Sequence, residues 1–155
     1  MAFDGLRPGE VLGLFYEDID LEKKLVRLLR REGEIYFPKC AKVGQPAKTI
    51  PLNDLSAELY KRLPYKRGTR ILPFSYKTLR KWFMRYVTQA GITRREYRVT
   101  PHKLRHFFGH FWLKRKGDIR TLQKLLRHSN INYTLIYTAP TDAEVKTEFE
   151  KVVQI

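Results

Sequence analysis

Cysteine is almost missing from this chain: Cys40 is the single one among 155 residues. That scarcity excludes an internal disulfide and a cysteine zinc cage, and makes a reducing interior the default setting. Long apolar runs are missing too. None approaches the roughly 20 residues a membrane-crossing helix requires, and no secretory signal is readable at the start. Internal repeats, low-complexity tracts and domain-dividing linkers are equally absent. Acids are scarce, with 16 Asp and Glu against 31 Lys and Arg, for a net charge of +15. What is there suits one globular domain: 43% of the residues are apolar, and Phe, Tyr, Trp and Met together fill 22 positions. Such a composition can bury a core.

So large an imbalance on so small a chain points to a polyanionic partner, with nucleic acid foremost. The charge is unevenly placed. Residues 61–98 carry twelve Lys or Arg against the lone acid Glu96, a local +11. Residues 140–155 carry Asp142, Glu144, Glu148 and Glu150 against Lys146 and Lys151, a local −2. A solvated surface is the ordinary explanation of charge runs, but it does not account for this excess alone.

Hydrophobic periodicity and turn residues predict a mainly helical chain with one small three-stranded antiparallel sheet. Pro8 opens a helix to about Tyr16. Strands are expected at LVRLLR (25–30), EIYFP (34–38) and KTIPL (48–52). Asn53-Asp54 caps a short helix, and a Pro/Gly-rich loop covers 64–74. Ser75 caps a longer helix that Gly91 ends, with Leu79, Phe83, Tyr86 and Val87 on one face. Thr100-Pro101 opens another that closes at Gly117. Asp118 caps the next, and Ser129 or Asn130 the one after. A last helix from about Thr141 aligns Val145, Phe149, Val152 and Val153.

The stretch TPHKLRHFFGHFWLKRKG (100–117) holds three of the four histidines. At about 100° per residue, Leu104, Phe107, Phe108, Phe111 and Trp112 share one face and are expected in the core. His102, Arg105, His106 and His110 fall opposite. A metal site there would lack the carboxylate of H-E-x-x-H and would hold a fixed cation at Arg105. Hydrogen-bonded structural roles suit His106 and His110 better. His102 and Arg105 stand three apart in the first turn, where free N–H groups and the helix dipole already favour an anion. Together they make a phosphate site.

Four boxes in order resemble the tyrosine recombinase (phage integrase) family. TPHKLRHFFGH resembles its H-x-x-R box and LLRHSNINYTLIYT its L-G-H-S…I-Y-T box. DGLRPGEVLGL (4–14) resembles its first arginine box, and KVGQPAKTIPL (42–52) its lysine hairpin. The likeness runs from about Asp4 to Thr138. It implies a catalytic set of Arg7, Lys42, His102, Arg105, His128 and Tyr137, with Glu10 in support. Lys39 or Lys48 remains an alternative to Lys42, and Tyr133 a near competitor of Tyr137.

The chemistry this resemblance implies is strand cleavage and rejoining. Tyr137 would attack a phosphodiester in line, leaving a 3′-phosphotyrosine and a free 5′ hydroxyl. Two arginines and imidazole donors would hold the developing charge, His102 would take the phenol's proton, and Lys42 would give one to the leaving oxygen. Because the new bond conserves the energy of the old, no cofactor, ATP or metal is required. The implied protein is a site-specific recombinase or integrase of a mobile element. A type IB topoisomerase-like nicking enzyme and a non-catalytic DNA-binding module are the alternatives.

The implied partners are double-stranded DNA and further recombinase subunits, four in a synaptic assembly, with no membrane. The expected setting is the cytoplasm of a prokaryote, or of a virus's host. Lys77, Arg80, Lys81, Arg85 and Arg127 are the DNA-binding candidates, with base and phosphate contacts left undivided. Arg127 stands where the family commonly has Gly. The chain is expected to be one catalytic domain (1–155) shortened at its N-terminus, which would leave Leu12 and Phe15 uncovered. Residues 141–155 are expected to form a tail helix that docks in cis or in trans.

Overall fold

The computed structural model describes residues 1–38, 48–92, 99–140 and 142–153. Lys42, its alternative Lys39, and Cys40 lie outside the described residues. The chain divides into two compact units, Met1–Phe108 and Gly109–Ile155. The described elements are helices plus one three-stranded antiparallel sheet, the architecture that the periodicity predicts.

The first unit begins with helix α1 (Pro8–Leu12) and a 3-10 turn at Tyr16–Asp18. Strands β1 (Ile19–Asp20), β2 (Leu25–Leu28) and β3 (Lys48–Pro51) follow, then α2 (Asp54–Lys61) and α3 (Tyr76–Gln89). Strand β2 is central, with Val26 opposite Ile19 on one side and Ile50 on the other. Along it Val26 and Leu28 face inward and Arg27 outward, the period-2 alternation of a half-buried sheet. Val26, Leu28, Ile50 and Leu52 build the core with Leu6 and Leu14, the residues that flank α1. Asp18 pins this region: its buried carboxylate takes both Arg31 nitrogens, at 2.9 and 2.7 Å, and the Phe15 amide at 2.9 Å.

Capping residues start the helices where the sequence places them. The Asn53 side chain accepts from the Ser56 amide at 2.9 Å, and the Ser75 hydroxyl from the Thr78 amide at 3.3 Å. Each such cap contributes about 1 kcal/mol. Helix α4 (Pro101–Lys114) carries the histidines.

Four expectations need correction. EIYFP (34–38) is not a strand; β1 supplies the third member of the sheet instead. Pro38 has no amide to donate, and the aromatic side chains make other attachments. The Tyr36 hydroxyl accepts from the Tyr76 amide at 2.7 Å, Arg30 covers the Phe37 ring at 4.1 Å, and Ile35 is 82% exposed. The first helix ends at Leu12, because the chain turns at Gly13 against the Tyr36 carbonyl. Leu12 and Phe15 are buried rather than uncovered. On α4, Phe107 is 49% exposed, edge-on to Phe3, whereas Arg105 is 2% exposed. A satisfied guanidinium has taken the inward place predicted for a phenyl ring.

In the second unit, α5 (Ile119–Leu126) is capped by Asp118, whose carboxylate accepts from the Thr121 amide at 2.6 Å, and it buries Leu122 and Leu126. Helix α6 (Asn132–Leu135) packs beside it, and α7 (Asp142–Val153) follows with no buried residue. The expected cap of α6 is only partly met: Asn130 accepts from the Asn132 amide at 2.9 Å, but Ile131 occupies the cap position.

The end of α5 presents His128. Arg127 adopts left-handed φ and ψ of 56° and 42°. The His128 amide reaches back to the Gln123 carbonyl at 3.1 Å and the Arg127 amide to that of Lys124 at 3.0 Å. These two bonds make a Schellman turn, whose left-handed position favours Gly because a Cβ is strained there. The Gly that the resemblance leads one to expect at this position would have a conformational reason, and Arg127 keeps the turn at some strain. We expect Arg127→Gly to raise unfolding stability by about 1 kcal/mol, read as a higher urea midpoint with an unchanged slope.

Candidate active site

The turn before α1 and the first half of α4 build one cluster in the first unit. Arg7 ends the turn, and Glu10, one helical turn on, folds back to it. The Glu10 carboxylate accepts from the Arg7 amide at 2.6 Å and from its guanidinium at 3.0 Å. The other guanidinium, Arg105, lies 3.9 Å from the same carboxylate and donates to the Gly5 carbonyl at 2.7 Å. Gly5 has a φ of 59°, a left-handed conformation that glycine adopts without the strain a Cβ would add. Glu10 is as deeply buried as Arg105. The buried carboxylate offsets the desolvated charge of Arg105 and holds the partly exposed Arg7 by a direct hydrogen bond.

His102 stands in the first turn of α4, exposed at the surface. Its imidazole is pushed below the ordinary value of 6.5, first by partial desolvation and then by the positive charge of Arg105 and Arg7. It is therefore neutral at pH 7 and able to accept a proton. The ring of His106 lies 5.9 Å from that of His102. Among the described residues no group of His, Cys, Asp or Glu is arranged to hold a metal.

His128 and Tyr137 belong to the second unit. The His128 Nδ1 is 3.0 Å from the Thr134 hydroxyl, and the Thr134 carbonyl accepts from the Tyr137 amide at 3.1 Å. Tyr133 lies edge-on to His128 and is 62% exposed, whereas Tyr137 is 6% exposed. The Tyr137 ring rests against the backbone of α4 at Gly109, where an added Cβ would come within 2.8 Å of it. His110 meets the same ring edge-on, with centroids 5.3 Å apart. A cleft of about 440 Å³ opens beside the tyrosine, lined by His110, Lys114, Thr138 and Glu144 among others.

The structure thus joins Arg7, Glu10 and Arg105 directly, with His102 near enough to feel both cations. It links His128 to Tyr137 through Thr134. Lys77, Arg80, Lys81 and Arg85 are all exposed on α3, and the Arg85 guanidinium sits 5.3 Å over the Trp82 ring. The Arg127 guanidinium donates back to the Leu125 carbonyl. Three residues went unread in the sequence: Gly5, Gly109 and Thr134. A glycine in the middle of a helix costs about 1 kcal/mol against alanine. That cost is the available signal that something approaches closely at Gly109.

Comparison with known proteins follows the same lines. The model of the phage integrase family matches residues 1–144. Tyrosine recombinase XerA of Pyrococcus horikoshii is 33% identical over 159 residues, covering 95% of this chain and 50% of that protein. Tyrosine recombinase XerC of Natranaerobius thermophilus is 32% identical over 160 residues, with the same coverage of 95% and 50%. The chain spans about half the length of the curated relatives it matches. Among solved structures, the catalytic domain of bacteriophage HP1 integrase superposes with a TM-score of 0.61 at 25% identity, covering 99% of this chain and 79% of that one. The Tn1549 transposon integrase in complex with circular intermediate DNA gives a TM-score of 0.67 at 26% identity, covering 98% and 57%.

Two outcomes are expected. In an NMR titration of the free protein, His102 should have its midpoint below 6.5. The unfolded chain then takes up this proton first, so the neutral ring favours the fold above pH 6.5 and that advantage is lost as pH falls through the folded midpoint. Gly109→Ala should displace the Tyr137 ring and lower stability by about 1–3 kcal/mol through overpacking, measured by denaturant unfolding and by increased tyrosine exposure.

Proposed function

This chain belongs to the phage integrase family, and on that premise we propose that it is the catalytic domain of a site-specific DNA recombinase. It breaks and rejoins strands through a 3′-phosphotyrosine. The observation that carries this reading is the pair of guanidiniums, Arg7 and Arg105, set on one buried carboxylate. Fixed donors of this kind suit the non-bridging oxygens of a phosphodiester as its charge grows, since they need no reorganisation during the reaction.

In the proposed step the Tyr137 phenolic oxygen attacks phosphorus, and the bond to the 5′ oxygen breaks. The phenol's proton passes to neutral His102, while Lys42 supplies one to the departing oxygen. His128 donates to a non-bridging oxygen. Attack by a second strand's 5′ hydroxyl reverses the sequence and releases Tyr137. The exposed cations of α3 hold the duplex, and affinity falls steeply with salt as phosphates shed counterions.

The working unit is proposed to be an assembly of several subunits on DNA, four at synapsis, inside the cell. The segment 141–155 supports it: α7 leaves Val145, Phe149, Val152 and Val153 exposed beside four acids, a stripe suited to a basic, apolar surface on its own or a neighbouring subunit. No helix among the described residues is long and apolar enough to cross a membrane.

A suicide DNA substrate carrying a nick near the cleavage point tests the chemistry. The wild-type chain should yield a covalent adduct whose modified peptide contains Tyr137. Tyr137→Phe should lose the adduct while its DNA dissociation constant stays within about twofold, since the substitution leaves the phosphate-binding cations in place. An adduct that survives on Tyr133 would overturn the assignment.

A further inference from the structure

We propose that Thr134 is a positioning residue for strand cleavage: its hydroxyl fixes the tautomer and direction of His128 while its carbonyl holds the backbone of Tyr137. The inference rests on the proposed role of His128 as a phosphate donor. Thr134 is fully buried in α6, and its Oγ1 lies 3.0 Å from His128 Nδ1. A neutral imidazole is a donor at one nitrogen and an acceptor at the other, and the partner of Nδ1 decides which. With the threonine O–H donating to Nδ1, the ring's proton sits on Nε2. Nε2 is then a hydrogen-bond donor, the form a non-bridging phosphate oxygen requires. With Nδ1–H donating to Oγ1 instead, Nε2 would be an acceptor, which a phosphate oxygen repels.

The surroundings hold this arrangement in place. The Schellman turn fixes the main chain at His128 through the Gln123 carbonyl, and the Gln123 side-chain amide donates to the His128 carbonyl at 3.2 Å. Tyr133 borders the imidazole edge-on. The Thr134 amide bonds to the Ile131 carbonyl at 2.7 Å, and the Thr134 carbonyl receives the Tyr137 amide at 3.1 Å. One residue therefore ties the aim of an imidazole to the start of the turn that carries the nucleophile. Isosteric Val would keep the methyl packing and lose only the hydroxyl; Ser would keep the hydroxyl.

The test combines spectroscopy with single-turnover cleavage. Histidine ¹⁵N shifts of the wild-type chain at neutral pH should show His128 protonated on Nε2, and Thr134→Val should shift the ring towards a tautomer mixture. Wild-type protonation on Nδ1 would overturn the proposal without touching the role of His128. On the suicide substrate, Thr134→Val should slow adduct formation by about tenfold, with unchanged DNA affinity, and Thr134→Ser should restore it to within about threefold. In a His128→Ala background the Val substitution should cost nothing further. An equal loss there would place the effect on Tyr137 or on folding, and overturn the proposal. Should His128→Ala itself leave cleavage unaltered, the donor role of His128 fails, while the ¹⁵N result still decides whether Thr134 sets the tautomer.

Discussion

The Glu10 carboxylate is the interaction on which the first unit depends. It is buried between Arg7 and Arg105 and also receives the amide that begins α1. A lone charge in that position would be strongly disfavoured, and a lone buried Arg105 equally so. Together they are tolerable, because each supplies what the other's desolvation removes. The Gly5 carbonyl completes the set, which explains why a left-handed glycine stands in the turn before α1. The contacts that make Arg105 buriable are also those that fix the direction of its guanidinium.

The second unit solves a different problem, that of aiming an imidazole and a phenol. Main-chain hydrogen bonds and close packing help to hold His128 and Tyr137. The turn at Arg127, the hydroxyl of Thr134 and the missing side chain of Gly109 each remove one freedom from the imidazole or the phenol. None of the three is itself reactive.

Much of this was legible in the sequence, and the parts that were not fail for identifiable reasons. Asn53, Ser75 and Asp118 mark helix starts because capping is a local reaction of side chain with nearby amides. The motif residues Arg7, Glu10 and Arg105 were readable by resemblance, and their meeting follows from contacts a hundred residues apart that no periodicity encodes. Helical periodicity misplaced Phe107 and Arg105 because it ranks residues by hydrophobicity alone, and a charge satisfied by Gly5 and Glu10 can take the inward position. EIYFP has the composition of a strand, yet Tyr36 and Phe37 engage Tyr76 and Arg30 instead of a ladder. Thr134 was passed over because a threonine in a polar run carries no signal until its neighbour in space is known.

Helix α7 has a consequence of its own. It is twelve residues long and buries none of its side chains. A helix of that length is marginal in water by itself, since the cost of nucleating it is spread over few hydrogen bonds. A surface that covered the apolar stripe would add to the stability of this helix. Docking of that stripe would carry the negative heat-capacity change of apolar burial. The four apolar side chains carried on this one short helix would then set how firmly the segment attaches and how readily it lets go.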